Sequence, residues 1–326
     1  MKRKLAMIVA ILFIVVISFG FDVKKVNAKN YKSIFKKISS KEISKRKLSM
    51  VIHLKDTNDS KIYYTEKAVV LTYHHISDKD YGPITISPER FVSDIKMLHD
   101  KGFNVISLRE MINSMEGLSI MPPNAVVITF DDGIESFYRY AYPVLLQNQM
   151  PATNFIITSR NEGYKLSKLD SNPLSPAEIS EMYNSHLIDI QSHSNDSHEK
   201  VYLSKDLRSG PKLTNRIYNK DTKALESPQD FVTRVISDLN KSRELIYKYT
   251  GQYSDVLCFP YGVYNAQVLE LAKQCGFNYF VTTQEGINKQ NSNKEKIYRI
   301  RSGDEKLDTL KIYYKILQIT NSKRHN

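Results

Sequence analysis

From residue 68 onward, short runs of β-branched and aromatic residues alternate about seven times with longer stretches of helical periodicity. That alternation restricts the fold more than any other feature of the chain. Strands separated by a helix's length of chain pair in parallel, and the intervening helices must cover the sheet. This many units suit a closed or nearly closed barrel better than an open sheet. Strand signals fall at residues 68–73, 104–108, 125–130, 152–158, 187–192, 256–259, 279–283 and 297–301. Helix starts are marked by Ser87-Pro88, by Ser175-Pro176 with Glu178 completing a capping box, and by Ser227-Pro228, which opens the longest helix, to Thr250. Further helices are expected over 135–149 and 265–275, and a last one should bury Leu307, Leu310, Tyr314 and Leu317 on one face. Residues 199–226 carry seven basic and four acidic side chains without a period, and read as a surface excursion that could rim a binding groove. Neither an internal repeat nor a second domain is visible.

The chemistry concentrates at the ends of these strands. The run Ala125-Val-Val-Ile-Thr-Phe reads as a buried strand that ends in Asp131, Asp132 and Gly133. Successive strand side chains point to opposite faces, so the two carboxylates can share one site only if the backbone turns between them. One could then bind a metal while the other moves protons, and Gly133 permits the sharp exit this needs. Farther on, strand 187–192 delivers His193, with His198 five residues beyond it. That spacing brings two imidazoles to one ion on neither a regular strand nor a helix. A strand end followed by a turn can do so, and Asn195, Asp196 and the flanking serines supply turn chemistry. Two imidazoles and a carboxylate make the donor set of a catalytic zinc-like site with room for water.

Composition locates the charge. The 326 residues are 41% hydrophobic and carry a net charge of +12. Residues 1–28 hold +4 and residues 29–67 hold +7, which leaves +1 for residues 68–326. Nucleic-acid binding is therefore excluded for the folded part. Residues 1–28 read as an export signal: Met1-Lys-Arg-Lys4, an apolar run from Leu5 to Phe19, and Ala28 as the residue before cleavage. The alternative is an uncleaved anchor. Residues 29–67 form a lysine-rich stem suited to an anionic membrane surface or cell wall. The two cysteines, Cys258 and Cys275, are expected as buried free thiols, although export makes a disulfide possible.

Thr129-Phe-Asp-Asp-Gly133, His193-Ser194 with His198, and Phe259-Pro-Tyr-Gly262 resemble the first three motifs of the polysaccharide deacetylases of carbohydrate esterase family 4. The likeness spans roughly residues 68–303. Tyr73-His74, placed before the aspartates, resembles the circularly permuted branch that includes the poly-β-1,6-N-acetylglucosamine deacetylases. The resemblance implies a deformed (β/α)7 barrel in a single catalytic domain, residues 68–326. It implies a divalent metal, zinc foremost with cobalt or nickel as alternatives, held by Asp132, His193 and His198. Asp131 would be the general base, His74 the general acid, and the turn Pro260-Tyr261 would offer the Tyr261 N–H to an oxyanion. The implied activity is N-deacetylation of amino sugars in a polysaccharide outside the cell, with exopolysaccharide of the poly-N-acetylglucosamine type as the first substrate. Peptidoglycan is the second substrate, and a wall-binding module without catalysis the other class of function.

The chain departs from the family in three respects. The arginine that many members carry just before Pro-Tyr-Gly, paired with the catalytic aspartate, is replaced by Leu257-Cys258, and Arg299 or Arg301 would have to substitute. There is no tryptophan, so some of the 21 tyrosines or the phenylalanines must line the acetyl pocket or stack on sugar. Finally, His75 duplicates His74 as a candidate acid. The remaining histidines, His53, His99, His186 and His325, read as stem, helix, turn and tail residues.

Overall fold

The structure, a computed structural model, describes residues 61–79, 82–162 and 172–321. The segment read as an export signal, the expected stem before residue 61 and His325 lie outside them. The described chain is a curled parallel sheet ringed by helices. β1 (Lys67–Tyr73) is followed by α1 (Pro88–Asp100), β2 (Asn104–Val105) and α2 (Leu108–Met115). β3 (Ala125–Phe130) leads through a π-helical turn, Phe137–Ala141, into α3 (Tyr142–Asn148). Then come β4 (Ala152–Ile156), α4 (Pro176–Asn184), β5 (Ile188–Ser192) and α5 (Pro228–Thr250). The chain ends with β6 (Val256–Cys258), α6 (Ala266–Gln274), β7 (Tyr279–Val281), β8 (Ile300–Arg301) and α7 (Thr309–Asn321).

The parallel strands run in the order β7-β6-β5-β4-β3-β1-β8, with β2 beside the first residues of β3. The segment entering β8 joins the two edges. Ile297 bridges Val281 of β7 in parallel, and Ile300 pairs with Leu71 of β1. The result is the single-domain, deformed (β/α)7 barrel expected from the sequence. Its seam is short, since β8 has only two residues and β7 three.

Alternation along the strands decides what reaches the barrel interior. Val70, Val127, Phe155, Cys258 and Val281 cluster with Met111, Ile112 and Met115 of α2. Val69, Leu71, Val126, Ile128 and Ile190 face the other way, into the layer of α1, α3, α4, α5 and α7. With both faces buried, the strands read as continuous apolar runs instead of alternating ones. The inward series Ala125, Val127, Thr129 carries on to Asp131 at the C-terminal rim. That rim is the end where barrels of this kind keep their chemistry.

Several sequence expectations are corrected by packing. Strand 104–108 stops at Val105, because Ser107 and Glu110 form a capping box that starts α2. The helix expected over 135–149 is a π-turn followed by α3, with Pro143 in the first turn of α3. α7 buries Ile312, Ile316 and Ile319, whereas Leu310 and Tyr314 of the expected face are exposed. That helix offers two apolar stripes, and its contact with α1 selects the one the sequence reading passed over. Residues 199–226 are not featureless: Lys200–Tyr202 pairs with Ser209–Pro211, and Tyr218–Asn219 with Ala224–Leu225. Tyr64, assigned to the stem, is buried and donates its hydroxyl to the Ala125 carbonyl, so packing begins before residue 68. Cys258 and Cys275 are buried free thiols, as expected.

Candidate active site

Asp131 leaves β3 pointing into the barrel mouth and is almost fully buried. Its backbone N–H donates to the Tyr73 carbonyl at 3.0 Å, which continues the β1–β3 ladder past the last strand residue. Its carboxylate meets Arg299 in a fork: Nη1 donates to Oδ1 at 2.7 Å and Nη2 to Oδ2 at 2.8 Å. Arg299 is itself 1% exposed and fixed from behind, with Nε donating to the Thr282 carbonyl at 2.9 Å and Nη2 3.3 Å from the Cys258 sulfur. Burial alone would raise the Asp131 carboxyl. The Arg299 charge and its two hydrogen bonds more than offset this and hold it below the ordinary carboxylate range. Asp131 is therefore ionised at any physiological pH. His74 Nε2 lies 3.6 Å from Asp131 Oδ2, and its side chain is 20% exposed. His75 turns away and places Nδ1 3.1 Å from Thr85 Oγ1. Of the two adjacent histidines, the structure brings only His74 to the aspartate.

Asp132 does not continue the strand. Its φ of +74° is left-handed, and Gly133 follows at +65°, so the chain swings away and the Asp132 carboxylate stays on the rim. Ser194 and Tyr261 also sit at positive φ, +69° and +60°. Each such non-glycine residue costs of order 1 kcal/mol and persists only where its surroundings enforce it. Here the three lie at the ends of β3, β5 and β6, where the motif residues meet.

Within this frame Asp132 Oδ1 lies 3.3 Å from His198 Nε2 and 3.7 Å from His193 Nε2. His193 Nδ1 donates to the Cys258 carbonyl at 2.7 Å, which leaves Nε2 as the lone-pair nitrogen facing the carboxylate. Burial pushes the His193 imidazole down to about 4 despite the nearby Asp131 charge, so the ring is neutral at pH 7, as a metal ligand must be. Asp132 Oδ1 is buried and has no hydrogen-bond partner among the described residues. A buried carboxylate oxygen left without a donor is costly unless a cation supplies the partner. The three ligand atoms lie within 4.8 Å of one another, so the donor set fits a divalent ion with positions left over.

The loop carrying the two histidines is held from outside. Asp238 of α5 accepts the backbone N–H of Asn195 at 3.0 Å and of Asp196 at 2.7 Å. On the other side Thr158 Oγ1 donates to Asn195 Oδ1 at 2.9 Å. Across the mouth, Pro260 is buried beneath a 3₁₀ turn and Tyr261 is 40% exposed, its ring 4.6 Å from that of His198.

The polysaccharide deacetylase family model matches residues 119–280. A poly-β-1,6-N-acetyl-D-glucosamine N-deacetylase of Staphylococcus aureus (strain MSSA476) is 30% identical over 270 residues, covering 78% of this chain and 86% of that protein. The chain belongs to the polysaccharide deacetylase family. Among solved structures, a de-N-acetylase from Aggregatibacter actinomycetemcomitans matches at 26% identity with a TM-score of 0.70, covering 76% of this chain and 99% of its own. IcaB from Ammonifex degensii shares the fold at 21% identity and a TM-score of 0.64, covering 79% of this chain and 98% of its own.

Against this deacetylase frame, the structure brings together Asp131, Asp132, His193, His198 and His74, and sets Tyr261 beside them. Of the two arginines offered by the sequence, Arg299 meets Asp131, while Arg301 is exposed. Arg299 reaches the aspartate from β8's entry, and Cys258 touches its guanidinium from β6. Sequence reading missed Asp238 altogether. It lies in the middle of a long amphipathic helix, and only its position on the buried face, among Val235, Leu239 and Ser242, could have marked it.

Proposed function

We propose that this chain is a metal-dependent N-deacetylase that removes acetyl groups from N-acetylated amino sugars of a polysaccharide, with poly-β-1,6-N-acetylglucosamine-type exopolysaccharide as its substrate. The observation that carries this reading is the contrast between two neighbouring carboxylates. Asp131 is satisfied by a buried arginine, while Asp132 Oδ1 faces two imidazole nitrogens without any donor. A structural pair of acids needs no such division, whereas amide hydrolysis needs a base beside a cation site.

In this reading Asp132, His193 and His198 hold the divalent ion, with zinc foremost and cobalt or nickel as alternatives. When bound, such an ion supplies a Lewis acid for the amide carbonyl and acidifies water. Asp131, kept ionised by Arg299, accepts the proton of the attacking water. The Tyr261 backbone N–H, held in its left-handed turn over Pro260, donates to the oxyanion as the carbonyl becomes tetrahedral. His74, across from Asp131 and partly open to solvent, delivers a proton to the departing sugar amine. Acetate and a cationic amine result.

Residues 1–28 fit export and the basic residues before the packed domain fit a tether to an anionic membrane surface or wall, which suits a catalytic domain acting on extracellular glycan. The test is acetate release by the purified chain, loaded with Zn²⁺ or Co²⁺, from β-1,6-linked N-acetylglucosamine oligomers, chitin oligomers and peptidoglycan fragments, with chelated protein as control. Metal-dependent release from the β-1,6 oligomers supports the proposal. Release from peptidoglycan alone reassigns the substrate, and glycan binding with no release from any of them favours a non-catalytic wall module.

A further inference from the structure

The proposed base and the proposed ion site are both fastened to one residue that the chemistry itself leaves unused, Cys258 at the end of β6. Its side chain is fully buried. Its carbonyl accepts from His193 Nδ1 at 2.7 Å. Its sulfur lies 3.3 Å from Arg299 Nη2 and, as an S–H donor, 3.8 Å from each carboxylate oxygen of Asp131. A thiol is both a weak donor and a weak acceptor, and this one has a partner in each direction.

The donors of Arg299 show why the thiol matters. A guanidinium carries five N–H donors in a fixed plane and keeps them all at any pH. Nε donates to the Thr282 carbonyl at 2.9 Å, and one N–H from each terminal nitrogen enters the fork with Asp131. The second N–H of Nη1 faces Thr129 Oγ1 at 3.5 Å, and the second of Nη2 meets the Cys258 sulfur. Thr129 Oγ1 spends its own proton on the Leu71 carbonyl at 2.8 Å, so a lone pair is what it turns to the arginine. The sulfur thus takes the last donor of a buried cation, which an apolar side chain would leave orphaned. Because the thiol proton in turn has Asp131 as acceptor, Arg299, Cys258 and Asp131 form a closed ring of hydrogen bonds. A neutral group suits the place. The charges of Asp131 and Arg299 cancel, and a second cation here would set net positive charge beside the residues proposed to hold a divalent ion.

We infer that Cys258 is a positioning residue for the reaction: its thiol holds the Arg299 fork square on Asp131 while its carbonyl aims His193, so that one residue sets the base in register with the ion site. The inference rests on the proposed deacetylase reading and gives the thiol a part in it. Cys258 touches no reacting atom and acts only through Asp131, Arg299 and His193. A side chain that merely fills space would be replaced equally badly by any two residues leaving the same gap, whereas a hydrogen-bonding one would not.

Alanine and serine provide that comparison, since they leave nearly the same gap and differ by a hydroxyl that can accept from Arg299 and donate to Asp131. The assay uses the full metal-loaded chain and β-1,6-linked N-acetylglucosamine oligomers. Cys258→Ala is expected to lower kcat about tenfold at unchanged KM, the size of one hydrogen bond to a charged group, and Cys258→Ser to recover most of the loss. Zn²⁺ affinity should hold in both, because the carbonyl that aims His193 belongs to the main chain. Equal losses in the two variants, or full activity in Cys258→Ala, overturn the inference, as does a fall in Zn²⁺ affinity that matches the fall in kcat. The infrared S–H stretch adds a measurement that needs neither turnover nor a change at residue 258. Cys275 donates to the neutral Ile236 carbonyl, and Cys275→Ala leaves the Cys258 band alone in the spectrum. A thiol donating to a carboxylate should absorb at lower frequency than the Cys275 band that remains in Cys258→Ser. A Cys258 band at or above that of Cys275 overturns the ring. Failure of the unaltered chain to release acetate overturns the deacetylase reading itself, and the positioning role with it, whatever the S–H band shows.

Discussion

Replacing Arg299 by methionine tests the electrostatic arrangement of the site most directly. The substitution keeps apolar volume above Phe155, whose ring lies 5.8 Å from the guanidinium, but removes the partner of a buried carboxylate. Two buried hydrogen bonds, at 2.7 and 2.8 Å, disappear together with a unit charge. At an effective dielectric of about 20, a charge pair some 4 Å apart is worth ~4 kcal/mol. That agrees with the ~3–5 kcal/mol cost of orphaning one member of a buried pair. Because the folded carboxyl of Asp131 lies below its ordinary value, the pair's contribution is complete above the unfolded pKa of about 3.9 and is lost as pH falls through the folded value. In the variant the sign reverses. Burial without the arginine raises Asp131, so its charged form is the penalised one, and the penalty shrinks as pH falls toward the raised value. Urea unfolding of metal-free protein should therefore show the variant ~3–5 kcal/mol less stable at pH 7.5 and measurably closer to the parent at pH 4.5. The acid limb of kcat/KM against pH should move upward in the loaded enzyme. An equal stability loss at both pH values, with the acid limb in place, would refute the assignment of Arg299 as the group that keeps Asp131 ionised.

Other expectations follow from the same geometry. Asp132→Ala or His193→Ala should abolish Zn²⁺ retention after gel filtration as well as turnover, while Asp131→Asn should retain the metal and lose activity; an active Asp131→Asn protein would remove Asp131 as base. Asp238→Ala strips the acceptor from the Asn195 and Asp196 N–H groups and should weaken Zn²⁺ affinity by about tenfold or more in competition with a chromophoric chelator, whereas unchanged affinity would make Asp238 a packing residue only. Gly262→Ala should lower Tm by roughly 5 °C, because Gly262 has φ +68° and an added Cβ collides with the Thr283 side chain; an unchanged Tm would show that the Tyr261 turn yields easily.

The repeated alternation of strand and helix was readable because periodicity is local: a strand buried on both faces needs an apolar run, and an outer helix needs one apolar stripe. Caps were readable for the same reason, as at Ser87, Ser175 and Ser227, each of which marks a helix start and accepts a backbone N–H of the first turn. The Ser107 box was equally local, yet the apolar run around it was read as strand continuing to Leu108. The motif residues also stand out in sequence, since they lie just beyond the ends of the strands. Asp131 and Asp132 follow β3, His193 follows β5, and Tyr261 follows β6.

Partnership across the barrel is different, because it depends on which strand ends closure brings face to face. Arg299 and Asp131 are 168 residues apart and meet only because the segment entering β8 seals β7 against β1. Inward parity from Ala125 fixes that Asp131 enters the mouth, but no local pattern says that an arginine from the far side will neutralise it in the place where Cys258 stands. His74 and His75 are indistinguishable in sequence, and the bend after β1 turns one to the aspartate and the other to Thr85. The two stripes of α7 were decided by contact with α1. Sequence thus determined the elements and the chemistry at their ends, since both follow from neighbours along the chain. The tertiary structure decided which of those groups carries charge, which is held in place and which is left open to a ligand, since burial and pairing arise only when distant segments close on one another.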